Sequence, residues 1–563
     1  MPLRSGSGSR FGPSLLGAGV LALFLLPVAT LLVLGLFGEP PDWLHLARFV
    51  LPRAAATTLL LLLGVGIVTA IVGTATAWLV AAHDFPGRGA LAVLLVLPLT
   101  VPTYIAAYAW VEVLDYGGPV QAFARAQGLA LPVPDLRSLP GAVFVLSGVL
   151  YPYVFLTARV AFAFSGASTL EVARTLGAPA GAAFRTVALP LARPAIVAGT
   201  TLALLETLND IGAVETLGVR TFTFAVYETW LNRGSLAGAG VLALALLATV
   251  LVLILAERRS RRDVPAATRT RPLGRTRLRG AKALAAAIAC FLPPVLGFLA
   301  PLALMSGYAW RRRETWWEPA LLEAVAGSVR LGLLVTLAAV ALVLAVQAAR
   351  RFSRSSALRL ADGAVTLGYA LPGTVLAIGV LVPLAALDNA LDAALRPFGL
   401  STGLLLTGSL AALVYAATLR FAAIGHGAVA AGFRALSPNV DLAARTLGAR
   451  PWRIVGGVHL PLLAPALAAA ALLVLVDAAK ELPATLLMRP FGFETLATLI
   501  YTRGSQGDFE AAAFAALLVV ALGLVPLVAA SALLNRGRIA VRPARGGPGT
   551  GPTLPGSPVP RGS

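Results

Sequence analysis

Long apolar runs alternate with short polar punctuation along the whole chain. A helix needs about 20 apolar residues to cross the hydrocarbon core of a bilayer, and about twelve stretches meet that rule. Six lie near 14–37, 56–82, 90–113, 139–163, 192–213 and 236–256. Six more lie near 282–307, 325–348, 361–387, 402–424, 463–487 and 510–534. The first follows Arg4 and Arg10 as a signal peptide would. Its run is too long and lacks a small-residue cleavage site, so it reads as a span. The pattern predicts an all-α polytopic membrane protein.

Composition agrees. The chain is 58% hydrophobic and 12% charged, against about 25% charged in soluble domains. A net charge of +20 would point to nucleic acid in a soluble chain; here the excess of basic residues in cytoplasmic loops explains it and no nucleic-acid partner is expected. The Pro-, Thr- and Arg-rich stretch 257–281 reads as a cytoplasmic linker between halves 1–256 and 282–535. Twelve spans then put both termini and "RRFSR" (350–354) inside. "RRRETWW" (311–317) falls outside and reads as an aromatic belt with snorkelling arginines. The Gly/Pro/Arg-rich tail 536–563 predicts disorder; its last residues, "VPRGS", read as a protease-site remnant and are set aside.

The polar segments are duplicated. Residues 168–194 read "STLEVARTLGAPAGAAFRTVALPLARP", and 437–465 read "SPNVDLAARTLGARPWRIVGGVHLPLLAP". A shift of 271 residues lays Arg174 on Arg445, Gly177 on Gly448, Pro190 on Pro461 and Glu206 on Asp477. It also lays Asp210 on Glu481, while "LPLTVPTYIA" (97–106) parallels "LGYALPGTVLA" (367–377). Six spans per half is an even number, so both halves insert the same way, related by a pseudo-two-fold axis along the membrane normal. Each polar segment predicts a helix–turn–helix knob. Ser168 with Glu171 fits a capping box, Ser437 with Pro438 an N-cap with proline at the first helical position, and Gly177 and Gly448 the left-handed helix end.

Glu-x-Ala, then Gly, then Leu-Pro resembles the "EAA" loop of binding-protein-dependent ABC importer permeases. Glu171, Ala173, Gly177, Leu189 and Pro190 match it in the first copy; Ala444, Gly448, Leu460 and Pro461 match in the second. Leu442 holds the expected Glu position, with Asp441 one residue earlier. The resemblance implies that these loops, with Arg174 and Arg445, dock on a dimer of separate ATPase subunits that bind the ATP and Mg. Neither Lys282 nor Lys480, the two lysines present, sits in GxxxxGK[ST], so the chain has no P-loop of its own. It reads as a transport subunit, not an enzyme, of the bacterial cytoplasmic membrane.

Ionisable groups inside a membrane are expensive and default to function. Glu206 and Asp210 share a helical face, as do Asp477 and Glu481; Asn209 and Lys480 take equivalent places, and Glu215 follows. Two pseudo-symmetric helices would gather these groups around a path for a cation, with Glu206, Asp210, Asp477 and Glu481 as passing oxygen ligands of a hard metal. Neutralised ion pairs held for packing are the plainer alternative. His45, His83, His426 and His459 have no ligand spacing, and the single Cys290 excludes internal disulfides. Tyr104, Tyr108, Tyr227 and Tyr501 read as interface residues.

"ETLNDIGAVETLGVRTFTFAVYETW", "LPGTVLAIGVL" and "KELPATLLMRPFGFETLAT" also resemble the ferric-iron subfamily of these permeases. That implies Fe3+ as transported substrate, delivered by a periplasmic or lipid-anchored binding protein, with no cofactor bound by this chain. Thiamine permeases share the two-half architecture; an aromatic cage would favour thiamine, and a carboxylate cluster with few aromatics beside it favours iron. A secondary transporter driven by an ion gradient is the alternative from another class; its repeats are often inverted, whereas these are parallel.

Overall fold

A computed structural model of the chain describes residues 11–40, 42–129, 135–164, 179–261 and 274–540. The first half holds α1 (Gly12–Phe37), α2 (Trp43–Ala82), α3 (Thr103–Leu114), α4 (Leu139–Phe164) and α5 (Gly181–Asn209). Short α6 (Gly212–Thr216) and α7 (Phe222–Tyr227) follow, then α8 (Leu236–Arg261). The second half repeats the order. It runs through α9 (Gly280–Arg311), α10 (Pro319–Phe352), α11 (Ser356–Leu367), α12 (Gly373–Leu395) and α13 (Leu410–Ala435). The knob helix α14 (Pro438–Thr446), α15 (Pro451–Ala479), short α16 (Pro483–Met488) and α17 (Leu496–Ser505), and α18 (Phe509–Ala540) complete it. Among the described residues, 11 helices are long and apolar enough to span, or 12 when one bent pair is joined.

That bent pair, Arg88–Thr100 with Thr103–Ala126, turns through 96° where a straight span near 90–113 was expected. Pro98 and Pro102 explain it, since proline gives no N–H and disfavours helix in the residue before it. The span expected at 361–387 is broken in the same way before Pro372, leaving α11 and α12. Proline also shapes four π turns, Leu46–Val50, Phe184–Ala188, Val295–Leu299 and Val455–His459, each ending two residues before a proline. The widened turn relieves the lost hydrogen bond and the ring's clash with the carbonyl four residues back. Two of these lie at equivalent places, where each polar loop re-enters the helical bundle.

The first helix of each half crosses to the other. α1 packs on α11 and α12, and α9 on α3 and α4. Small residues permit the approach, as helix contacts in lipid require. A methyl group on Gly379 would meet the Pro27 carbonyl oxygen at 2.7 Å, and one on Gly297 would sit 2.0 Å from the Gly148 carbonyl oxygen. Tyr415 Oη donates to the Leu23 carbonyl at 2.5 Å, and Trp110 Nε1 to that of Leu296 at 2.9 Å. The linker returns as well: strand β1 (His83–Asp84) pairs in parallel with β2 (Thr276–Arg277). At 311–317, Arg311 and Arg312 reach Glu510 and Asp508 at 3.9 and 3.8 Å, so ion pairs join the expected aromatic belt.

Gly297→Ala should therefore destabilise the fold by about 1–3 kcal/mol through overpacking. A lowered unfolding temperature of the purified protein checks this; an unchanged one would contradict the crossed packing of α9.

Candidate functional site

In each half the helix that descends from the knob breaks at its polar end. α5 stops at Asn209 and α6 restarts at Gly212; α15 stops at Ala479 and α16 restarts at Pro483. The expected spans 192–213 and 463–487 thus end earlier than their apolar pattern suggested. A carboxylate satisfies each restart. Asp210 Oδ1 accepts the Ala213 N–H at 2.8 Å. Glu481 Oε1 accepts the Ala484 N–H at 2.9 Å, while its Oε2 accepts the Thr485 N–H at 2.9 Å and the Thr485 hydroxyl at 2.8 Å. Negative charge at a helix N-terminus is favoured by capping and dipole together. Ala213 and Ala484 are themselves equivalent, so the two caps are copies.

Between the breaks lies a cavity of about 110 Å³ lined by Glu206, Asn209, Asp210, Asp477, Lys480 and Glu481. Lys480 Nζ meets Asp477 at 2.7 Å, and Tyr369 Oη donates to Glu206. Asn209 Oδ1, from the first half, accepts the Gly373 N–H at 2.7 Å and Arg420 Nη1 at 2.6 Å from the second. Arg420, 5% exposed, also lies 4.0 Å from Glu206 and 3.8 Å from Glu481. The cavity is an inter-half junction in which two cations meet three carboxylates, Glu206, Asp477 and Glu481.

The second polar loop forms the expected knob. Ser437 Oγ accepts the Asn439 N–H at 3.3 Å with Pro438 at the first helical position, and Gly448 takes φ +80° after α14. Leu442, Leu447 and Trp452 are 59%, 88% and 64% exposed. Ala444 is half-buried, while Arg445, Leu460 and Pro461 are exposed. Asp441 turns inward instead, 8% exposed, between Arg351 Nε at 2.6 Å and His459 Nε2 at 2.6 Å. Burial alone would raise its carboxyl; the hydrogen bonds from His459 and Arg351 outweigh burial and hold it below its usual range. It is thus engaged within the chain, and the knob presents apolar and basic surface, with Arg445, Arg450 and Arg453 exposed, rather than an acidic contact. In the first copy Glu171, Ala173, Arg174 and Gly177 lie outside the described residues; Leu189 is half-buried and Pro190 exposed.

The model of the binding-protein-dependent transport system inner membrane component family matches residues 71–261 and again 339–539. The chain belongs to that family. Among the permease's relatives is an Fe(3+)-transport system permease protein of Haemophilus influenzae, 24% identical over 84% of this chain and 89% of the relative. A probable molybdenum ABC transporter permease of Haloferax volcanii is 29% identical over 40% of this chain and 80% of its own. A putative 2-aminoethylphosphonate transport system permease of Salmonella typhimurium is 31% identical over 19% and 41%.

Six of the seven expected pathway residues in the permease thus share one cavity. Glu215 does not: it accepts the Tyr501 hydroxyl at 2.5 Å, away from the lining. Nor do the carboxylates form a ligand set in this conformation. Among the described residues no three His, Cys, Asp or Glu side chains group to hold a metal ion, because Asp210 and Glu481 cap helices and Asp477 and Glu206 are engaged by Lys480 and by Tyr369. The expectation of few aromatics is also corrected, since Tyr104, Tyr153, Tyr369 and Phe421 line the cavity. Sequence reading missed Arg420, a lone cation in the apolar run of α13, a costly placement that was itself a signal.

Glu481→Ala leaves the α16 N-terminus uncapped and should lower stability by about 0.5–2 kcal/mol. Thermal unfolding measures it, and wild-type stability in the variant would show that the carboxylate is not needed as a cap.

Proposed function

We propose that this permease imports ferric iron, handed over by an extracytoplasmic binding protein and driven by a separate ATPase dimer at the knobs. The observation that carries this reading is the carboxylate-lined cavity at the junction of two pseudo-symmetric halves, in a chain with an Fe(3+)-transport relative along most of its length. Hard cations take oxygen ligands, and Glu206 and Asp477 are the two carboxylates not bound to backbone N–H groups. Opening of the junction would part Asn209 from Arg420 and Gly373, and Glu206 from Tyr369, freeing carboxylate oxygen for a passing cation. Both termini lie in the cytoplasm in this reading, with the knobs on the same side. A small organic cation such as thiamine is the second reading, favoured by the three tyrosines and Phe421 in the lining.

The test is ATP-dependent uptake of labelled Fe3+, with and without excess thiamine, in wild type and in Glu206→Gln/Asp477→Asn. The expected outcome is iron uptake that resists thiamine and falls on the order of 10²-fold in the folded double variant, two lost charge interactions of about 1.4 kcal/mol each. Thiamine uptake in its place would overturn the substrate, and iron uptake indifferent to the substitutions would overturn the path.

A further inference from the structure

The second half carries a fastening between its knob and α10. The final turn of α10 places Arg351 against the knob: Nε meets Asp441 Oδ2 at 2.6 Å, and Nη2 and Nη1 donate to the carbonyls of Leu436 at 3.0 Å and Phe433 at 3.4 Å. Asp441 Oδ1 takes Nε2 of His459, which is 0% exposed. An ionised carboxylate only accepts, so Nε2 donates; Nδ1 has no hydrogen-bond partner. Phe352 stacks on the imidazole, centroids 5.7 Å apart and planes 13° off parallel, and Arg445 lies 5.3 Å over the same phenyl ring. Asp441 and Arg445, one helical turn apart on α14, thus both grip the end of α10.

The opposite end of α10 is tied too. Ser328 Oγ accepts the N–H of Leu496, the first residue of α17, at 2.8 Å, and Glu318 meets Arg503 of α17 at 2.7 Å. The serine tie is copied in the first half, where Thr58 Oγ1 accepts the N–H of Phe222, the first residue of α7, at 3.0 Å. The side chains of the knob fastening are not repeated in the sequence of the first half. The shift of 270 that lays Thr58 on Ser328 lays Ala81 on Arg351, and the loop shift of 271 lays Leu170 on Asp441 and Ala188 on His459.

We infer that Arg351, Asp441 and His459 form a clasp that keys the second knob to α10, so that a push on this knob moves α10 and α17 as one body. The second knob then transmits ATPase motion to the far face through α10. These are positioning residues. The inference rests on the knobs being where the ATPase docks, as in the reading above, but not on the identity of the substrate. Position along a line of contacts does not demonstrate coupling; a perturbation at one end read at the other does.

The test uses the full complex with its ATPase and binding protein, in proteoliposomes. Spin labels replace Phe491 (109% exposed), before α17, and Phe123 (69% exposed) in the first half; the native Cys290 is buried. The label distance is compared without nucleotide and with ATP and vanadate. Wild type should change distance between the two states. Asp441→Asn should lose that change and lower transport per ATP on the order of tenfold, a usual size for coupling between sites, while hydrolysis stays within about twofold of wild type. The Asp441→Asn/Arg351→Gln double variant should be no worse than either single variant. If Asp441→Asn fails to assemble, Arg351→Lys, which keeps the charge and loses the guanidinium fork, is read the same way. A wild-type distance change and wild-type transport per ATP in the variant, or additive effects in the double variant, would overturn the clasp. Absence of iron uptake in wild type would overturn the substrate reading alone, since the distance needs only ATP and vanadate.

Discussion

A backbone N–H or C=O left open where water is scarce costs several kcal/mol, so a helix broken within a membrane protein must have its ends satisfied by the protein itself. Two breaks, after Asn209 and after Ala479, set the centre of this permease. Asp210 and Glu481 satisfy the restarting helices, and Asn209 satisfies the start of α12 across the junction. The same side chains line the cavity. Structural and pathway readings of these carboxylates are therefore not rivals: a group that caps a broken helix is held at the cavity wall by doing so.

The halves are copies in architecture and unequal in chemistry. The caps on Ala213 and Ala484 and the ties of Thr58 and Ser328 are duplicated. Arg420, Lys480, Arg351, Asp441 and His459 have no like residue at the equivalent positions of the first half. With Val149 at the position equivalent to Arg420, one half supplies the buried guanidinium and the other the Asn209 and Glu206 oxygens it meets. A single chain carrying both halves permits this division, which two identical subunits could not adopt.

Much of this was legible in the sequence because duplication at a fixed shift does not need a structure to be seen. The knob, its Ser437 cap and its left-handed Gly448 followed from local chemistry. The gathering of Glu206 with Asp477 and of Asp210 with Glu481 followed from the repeat. Helix breaks were less legible, since Ile211, Leu482 and Ala484 continue the apolar pattern straight through them. Arg420 is one residue whose first-half partners, Asn209 and Glu206, lie more than two hundred positions away, and the crossing of α1 and α9 leaves no periodic trace. Glu215 looked like its neighbours in sequence and is turned to Tyr501 by the short helix that carries it.

The central claim is that the cavity between the broken helices is the transport path. Glu206→Cys in the assembled transporter, probed with a membrane-impermeant thiol reagent added from one side, tests it most directly, because Cys290 is buried. The account predicts labelling from the cytoplasmic side without nucleotide and from the outer side with ATP and vanadate. Labelling from neither side in either state, or from one side in both, would contradict it.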